Sequence, residues 1–305
     1  MNAQTLGIAG DGDDAFRSQV VGASEVAALF DASPWLTHFE LYHRKTGGIS
    51  TPEFGGNERI EWGVRLEPVI IEAARERYGY QLLDTPKRFD NGKGLGGHPD
   101  QMAYCPVRGG LGVLEVKTAD WLVAKKWGDE PPLNYLLQNQ TYQGLGGVAW
   151  GDVIVLVGGN ELRRFQYDFR PKLFAEIEAR VVAFWQAVRA SDAPAPDFAR
   201  DGEAIRELLG EPTEEFADLR GDNDVDGLAA DFLNAKAAAK DADQSAEEAK
   251  NRLLFKIGTA GSALLPNHRV GCAMTKGSPD RIAVAGEIIK GRKGYRRFDV
   301  REVAA

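Results

Sequence analysis

The chain has 305 residues, 43% apolar and 27% charged, with a formal net charge of −8, the balance of an ordinary soluble globular protein with room for one large core or two modest domains. No stretch reaches the roughly 20 apolar residues that cross a bilayer, and no basic segment leads into an apolar run at the start, so neither a membrane partner nor a secretory signal is expected. Cys105 and Cys272 are too few for a four-cysteine zinc or iron–sulfur site and suit a reducing cytoplasm. The acidity is uneven, because residues 251–305 hold eleven Lys or Arg against four Asp or Glu. A phosphate-binding groove needs local basic side chains, and an acidic chain can supply them.

Residues 1–16 are rich in Gly and Asp and are expected to be flexible. Ser24 stands as an N-cap before the apolar run 26–30. With Arg17 nearby, such a helix start can bind phosphate, or Ser24 caps and does nothing more. Thr37 and Glu40 spell a capping box for a second helix that stops at Gly47-Gly48. A longer helix is predicted from about Glu58 to Tyr78, with Pro68 bending it. Its Glu67 lies among Leu66, Val69 and Ile70, where a carboxylate is costly unless paired with Arg65 or Arg75 or bound to metal.

The chemistry gathers in residues 96–118. Asp100 ends one segment, glycines 109, 110 and 112 let the chain turn back, and residues 113–117 read as a buried strand. On that strand Glu115 and Lys117 share a face while Leu114 and Val116 pack behind. Two carboxylates and an ammonium converging there make either a metal site for phosphodiester hydrolysis or a salt bridge.

Next come Trp121, Lys125, Lys126 and Trp127, a loop able to touch a DNA backbone or an unpaired base, or else to pack. A helix carrying Tyr135, Gln138 and Gln140 runs to about Gly146. Residues 153–157 and 162–169 form a hairpin around Gly158-Gly159-Asn160, and Pro171 opens a helix to about residue 190. The Ala193-Pro194-Ala195-Pro196 stretch closes this unit. Beyond it Leu228, Phe232, Ala235, Ala239, Ala242, Ala246, Ala249 and Leu253 fall at alternating spacings of four and three, a heptad seam. Its alanines allow close approach of another helix, here expected to be residues 203–209 or 214–219 folding back antiparallel. Residues 281–285 and 290–301 read as short basic strands, with Tyr295-Arg296-Arg297-Phe298 either meeting phosphate or forming a solvated face.

Six short motifs in order resemble the YqaJ-type viral recombinase family, similar to lambda exonuclease within the PD-(D/E)xK nuclease superfamily. They are Arg17 with Gly22-Ala23-Ser24-Glu25-Val26-Ala27; Glu40-Leu41-Tyr42 with Lys45-Thr46-Gly47; Trp62-Gly63 with Leu66-Glu67-Pro68; Gly97 with Pro99-Asp100; Leu114-Glu115-Val116-Lys117-Thr118; and Tyr135 with Gln138 and Gln140. The resemblance implies an α/β fold, a restriction-endonuclease-like core with a mixed central sheet flanked by helices, followed by a helical segment and a small basic β tail. The division expected is 1–16 flexible, 17–192 nuclease domain, 193–224 linker and short helices, 225–258 heptad helix and 259–305 basic region.

It further implies a metal-dependent deoxyribonuclease of phage or prophage, working in the bacterial cytoplasm, that digests one strand of duplex DNA from its 5′ end and leaves 3′ overhangs. Asp100, Glu115 and the Val116 carbonyl would ligate Mg²⁺ (or Mn²⁺), and Glu67 would complete the site for a second ion or an outer water. Lys117, its pKa lowered by the cations, would position and deprotonate the attacking water, and Gln138 would orient that water or the phosphate. Arg17 and Ser24 would hold the 5′-phosphate. Duplex ends, a phage single-strand annealing protein and a trimeric ring of copies are the implied partners. Two departures stand out: His98 occupies a place where a small residue is common, as an extra metal ligand or a packing residue, and the gap from Asp100 to Glu115 is long. A DNA-repair endonuclease of the same superfamily and a catalytically idle DNA-end-binding scaffold are the alternative readings.

Overall fold

Caps and turns legible in the sequence organise the start of the chain. A computed structural model describes residues 11–51, 57–211, 213–278, 281–282, 288–289 and 299–302. Its first helix, α1 (Asp11–Gln19), already occupies part of the stretch expected to be flexible, and Phe16 is buried. Strand β1 (Val21–Gly22) leads into a 3₁₀ turn at Val26–Phe30. Helix α2 (His38–Thr46) starts where Thr37 accepts the Glu40 N–H and ends at Gly47 in the left-handed region. Only half of the capping box forms, because the Glu40 carboxylate turns to Arg44 four residues on.

Helix α3 (Glu58–Tyr78) has the predicted bounds and contains Pro68. It is followed by β2 (Gln81–Leu83), β3 (Phe89–Asp90), β4 (Leu95–Gly97), β5 (Gln101–Tyr104) and β6 (Leu111–Ala119). A short helix α4 (Trp121–Ala124) stands where a loop was expected, capped by Asp120. After it come α5 (Leu133–Gly146), the hairpin β7 (Trp150–Val157) and β8 (Glu161–Asp168), and α6 (Pro171–Ala190).

The central sheet has the order β2-β5-β6-β7-β8. The β6–β7 pair is parallel and the other neighbours antiparallel. Alternation along β6 and β7 assigns the two faces: Leu114, Val116 and Ile154 pack with Ile70, Ile71 and Ala74 of α3. Val153, Val155 and Val157 pack with Ala124, Tyr135 and Leu136 on the other side. This is the mixed α/β core expected, strands covered on both faces by helices. A smaller sheet, β1-β4-β3, lays Val21 beside Leu95 and Gly22 beside Gly96. A Cβ on Gly96 would come within 2.8 Å of both the Phe16 ring and the Phe89 carbonyl, so only glycine lets these segments close.

The first compact unit runs to Thr213, past the boundary expected at residue 192. Helix α7 (Gly202–Leu209) belongs to it: Ala204 is buried with Phe39 and Ile49, Thr37 donates to Asp201, and the Ser50 N–H and hydroxyl donate to Glu207. The 197–209 segment is thus packed structure, because its side chains satisfy polar groups of the α2 region. The second unit, Glu214–Ala305, holds the 33-residue helix α8 (Val225–Ile257), in which no residue is buried. Its strands are β9 (Ser262–Leu264), β10 (His268–Gly271), β11 (Arg281–Ile282), β12 (Ile288–Ile289) and β13 (Asp299–Glu302), with β10 central between β9 and β13 and β11 paired to β12. The α7 apolar side is taken by Phe39 and Ile49, and residues 214–219 form no helix. The Tyr295–Phe298 tetrapeptide lies outside the described residues. No helix among the described residues is long and apolar enough to cross a membrane.

Candidate active site

Strand register assembles the site. The β5–β6 pairing sets Gln101 opposite Leu114, which brings Asp100 level with Glu115 and Val116. Gly109 and Gly110, both at positive φ, make the reversal between the two strands. Asp100 Oδ2 accepts the Val116 N–H at 2.7 Å, so the first carboxylate is tied to the strand carrying the second. Glu115 has no exposed surface. Its Oε1 accepts from the Lys117 ammonium and, at 2.6 Å, from Gln138 Nε2 of α5. Its Oε2 is buried with no hydrogen-bond partner. A cleft of about 270 Å³ opens here, lined by Ile60, Gly63, Val64 and Glu67 of α3 together with Asp100, Val116, Lys117 and Thr118.

Electrostatics follow from that burial. Desolvation, reinforced by Asp100, pushes the Glu115 carboxyl up to about 8 against the pull of Lys117. Desolvation and then Asp100 likewise raise Glu67, to about 7. Asp100 is raised by burial, with Lys117 and the Val116 N–H opposing. For Lys117 burial acts downward, but Glu115 and Asp100 outweigh it and the net shift is upward. Without a cation, then, the two carboxylates hold the Lys117 proton; the lowering expected of Lys117 belongs to the metal-bound site.

The structure brings Glu67, Asp100, Glu115, Val116, Lys117 and Gln138 together. Neither arginine weighed as a partner for Glu67 takes that role, since Arg75 is paired with Glu72 and Arg65 lies over the Trp62 ring. Arg17 and Ser24 flank β1, beside the β4 strand that leads to Asp100. Ser24 is exposed and caps nothing; the N-cap position of the 3₁₀ turn falls to Glu25, whose carboxylate folds back to accept the Gly22 N–H and also pairs with Lys45. Lys45 in turn donates to the Arg17 carbonyl. The His98 ring packs edge-on against Phe16. Trp127 is a packing residue, edge-on to Tyr135 and Phe165, while Trp121 stays half exposed with Lys125 over its ring.

Two residues given no role in the sequence reading also reach the site. Lys117 lies 5.8 Å from the centre of the Tyr135 ring. The Tyr142 hydroxyl donates to the His98 carbonyl at 2.8 Å and bonds Gln138. The signal was present, because Tyr135, Gln138 and Tyr142 fall at i, i+3 and i+7 on one face of α5.

The donor set fits a hard cation. Asp100, the Val116 backbone and the unpartnered Glu115 Oε2 offer oxygen only, the chemistry Mg²⁺ prefers. Among the described residues no three His, Cys, Asp or Glu side chains form a ready cluster, so the side-chain donors in place are the Asp100 and Glu115 pair, with Glu67 standing further back.

Fold and site together define a mixed α/β domain in which Asp100, Glu115 and Lys117 are assembled on adjacent strands of the central sheet. Residues 14–148 match the model of the YqaJ-like viral recombinase domain. The chain is 24% identical over 310 residues to the uncharacterized protein YqaJ of Bacillus subtilis, across 94% of this chain and 93% of that one. Among solved structures it is similar to an alkaline exonuclease from Laribacter hongkongensis, at 21% identity and TM-score 0.46, over 63% of this chain and 96% of that one. It is also similar to a phage-related exonuclease from Haemophilus somnus, at 17% identity and TM-score 0.42, over 56% and 94%.

Proposed function

We propose that this protein is a Mg²⁺-dependent deoxyribonuclease that digests one strand of duplex DNA from its 5′ end and leaves 3′ overhangs for recombination by strand annealing. The observation carrying the nuclease reading is the Glu115 Oε2 atom, buried without a partner on the strand whose next residues, Val116 to Thr118, line an open cleft with Asp100 and Glu67. A buried carboxylate oxygen without a protein partner is open to a cation or an ordered water. The YqaJ-like viral recombinase domain supports the recombination setting.

Bound here, Mg²⁺ or Mn²⁺ would supply a polarised phosphoryl oxygen and a more acidic water. Asp100, Glu115 and the Val116 carbonyl would hold it, and Glu67 would hold a second ion or an outer water. Gln138 keeps the Glu115 carboxylate aimed and is placed to orient the water or phosphate. Lys117, an ammonium in this charge balance, donates to the scissile phosphate or the water and neutralises charge as it builds. Arg17, in the last turn of α1, and Ser24, two residues past β1, are assigned the 5′-phosphate. The setting proposed is a bacterial cytoplasm, with DNA ends as substrate, a phage annealing protein as partner and a ring of three copies as the assembly.

The test is digestion of linear duplex against a covalently closed circle, with Mg²⁺ or EDTA, for wild type and Lys117→Ala. Mg²⁺-dependent loss of the linear DNA alone, faster with a 5′-phosphate and abolished by the substitution, is the expected result. Cutting of the circle would make the enzyme an endonuclease. Ends bound but never cut would make it a scaffold.

A further inference from the structure

Helix α8 is 33 residues long, about 50 Å at 1.5 Å per residue, and among the described residues its heptad seam is exposed at the N-terminal end and half-buried at Leu253. Leu228 is 65% and Phe232 64% exposed. A seam of leucine, phenylalanine and five alanines on a helix with no buried residue calls for a partner helix at close range.

We infer that the partner is α8 of a second copy, lying antiparallel in one register. Centring the two helices between Ala239 and Ala242 sets Leu228 against Leu253 of the second copy, and Phe232 against Ala249. Ala235 then meets Ala246, and Ala239 meets Ala242. The bulky residues close the ends, each phenylalanine faces a small residue, and the alanines let the backbones approach. The argument for this occupant is charge complementarity along the two edges of the seam. In the centred register Asp231 faces Arg252 and Lys236 faces Asp243, each pair occurring twice by symmetry. Sliding one heptad in one direction opposes Lys236 to Lys250 and Asp243 to its own copy. Sliding the other way opposes Lys236 to itself. A parallel pair matches only Asp231 with Lys236. Arg252, held within its own helix by Glu248, remains on the edge that Asp231 would meet. The sequence thus specifies both orientation and register. The inference is independent of the nuclease reading, and a two-fold pair of this kind would join copies belonging to two different three-copy rings.

Cysteine cross-linking of the full chain tests it. Positions 228 and 253 are about 37 Å apart along one helix, too far for a bridge within a copy. Leu228→Cys/Leu253→Cys is expected to give a covalent dimer on mild oxidation, and neither single variant to give one. A dimer from either single variant would overturn the antiparallel orientation, and no dimer from the double variant would overturn the association. Charge reversal supplies the second arm, read by sedimentation equilibrium with helicity checked by circular dichroism. Lys236→Glu is expected to weaken self-association about fivefold. Adding Asp243→Lys restores it, and adding Asp231→Lys weakens it further. Rescue by Asp231→Lys in place of Asp243→Lys would establish a parallel pair and refute the register.

Discussion

Two buried carboxylates stand on neighbouring strands, Glu115 of β6 and Asp152 of β7, neither with any exposed surface. They point to opposite faces of the sheet, since Asp152 is level with Leu114 and Glu115 with Val153. Asp152 uses both oxygens, Oδ2 accepting from the Tyr80 hydroxyl and Oδ1 from Arg108 at 2.5 Å. Arg108 is itself secured by the Tyr167 carbonyl, by Asp168 and by the Trp150 ring 5.0 Å away. Glu115 crowds two donors onto one oxygen and leaves the other bare. Burial raises both carboxyls, but only Asp152 has a hydrogen-bond partner on each oxygen. Compensation marks the acid that holds the fold together; its lack marks the acid kept for a ligand.

The largest effect separating them is on activity. Glu115→Gln keeps the shape and removes a cation ligand, so cleavage of linear DNA should fall about 10³-fold or more. Folding stability should change by less than about 1 kcal/mol, because the carboxyl lost is one that burial already disfavours as an anion and Asp100 remains beside Lys117. Asp152→Asn should do the reverse. It strips Arg108 of its buried anion and should cost about 2–3 kcal/mol, lowering Tm by roughly 5–10 °C, while the folded fraction still cuts. Thermal melts and initial rates on both variants decide the matter. Equal destabilisation of the two would erase the distinction drawn between them.

The contrast also explains what the sequence could and could not reveal. Local rules located α3, the Thr37 cap and the β7–β8 hairpin, because caps, glycines and period-two alternation act over a few residues. The Glu-x-Lys pair was legible for the same reason, as strand neighbours sharing a face. Asp152 was not, since its partners Tyr80 and Arg108 come from distant segments and nothing local announces a buried ion pair. Ser24 was misread because a cap signal says nothing of the Glu25 carboxylate competing one residue later. The extension of the first unit to α7 was hidden likewise, in a long-range bond between Thr37 and Asp201. The Lys117 shift depends on two acids outweighing burial, a balance only coordinates can weigh.

The gentlest way to sharpen the comparison is pH. Glu115 and Glu67 sit near 8 and 7, both raised first by desolvation and then by Asp100. A raised carboxyl is protonated below its folded pKa, and a cation can bind only after that proton leaves. Apparent Mg²⁺ affinity should therefore weaken as pH falls from 8 to 6, by up to about tenfold per pH unit for each proton displaced. Stability of the metal-free protein has the opposite dependence. With folded pKa values above the unfolded ones, the folded state binds the extra protons, so the contribution of these groups is complete below the ordinary carboxylate range and is lost as pH rises through about 7 to 8. Added Mg²⁺ should offset that loss at pH 8 and matter little at pH 6. Melting curves at the two pH values, with and without Mg²⁺, should show a metal-dependent rise in Tm at the higher pH alone, abolished in Glu115→Gln. An equal rise at both would mean that the ion binds elsewhere than at these carboxylates.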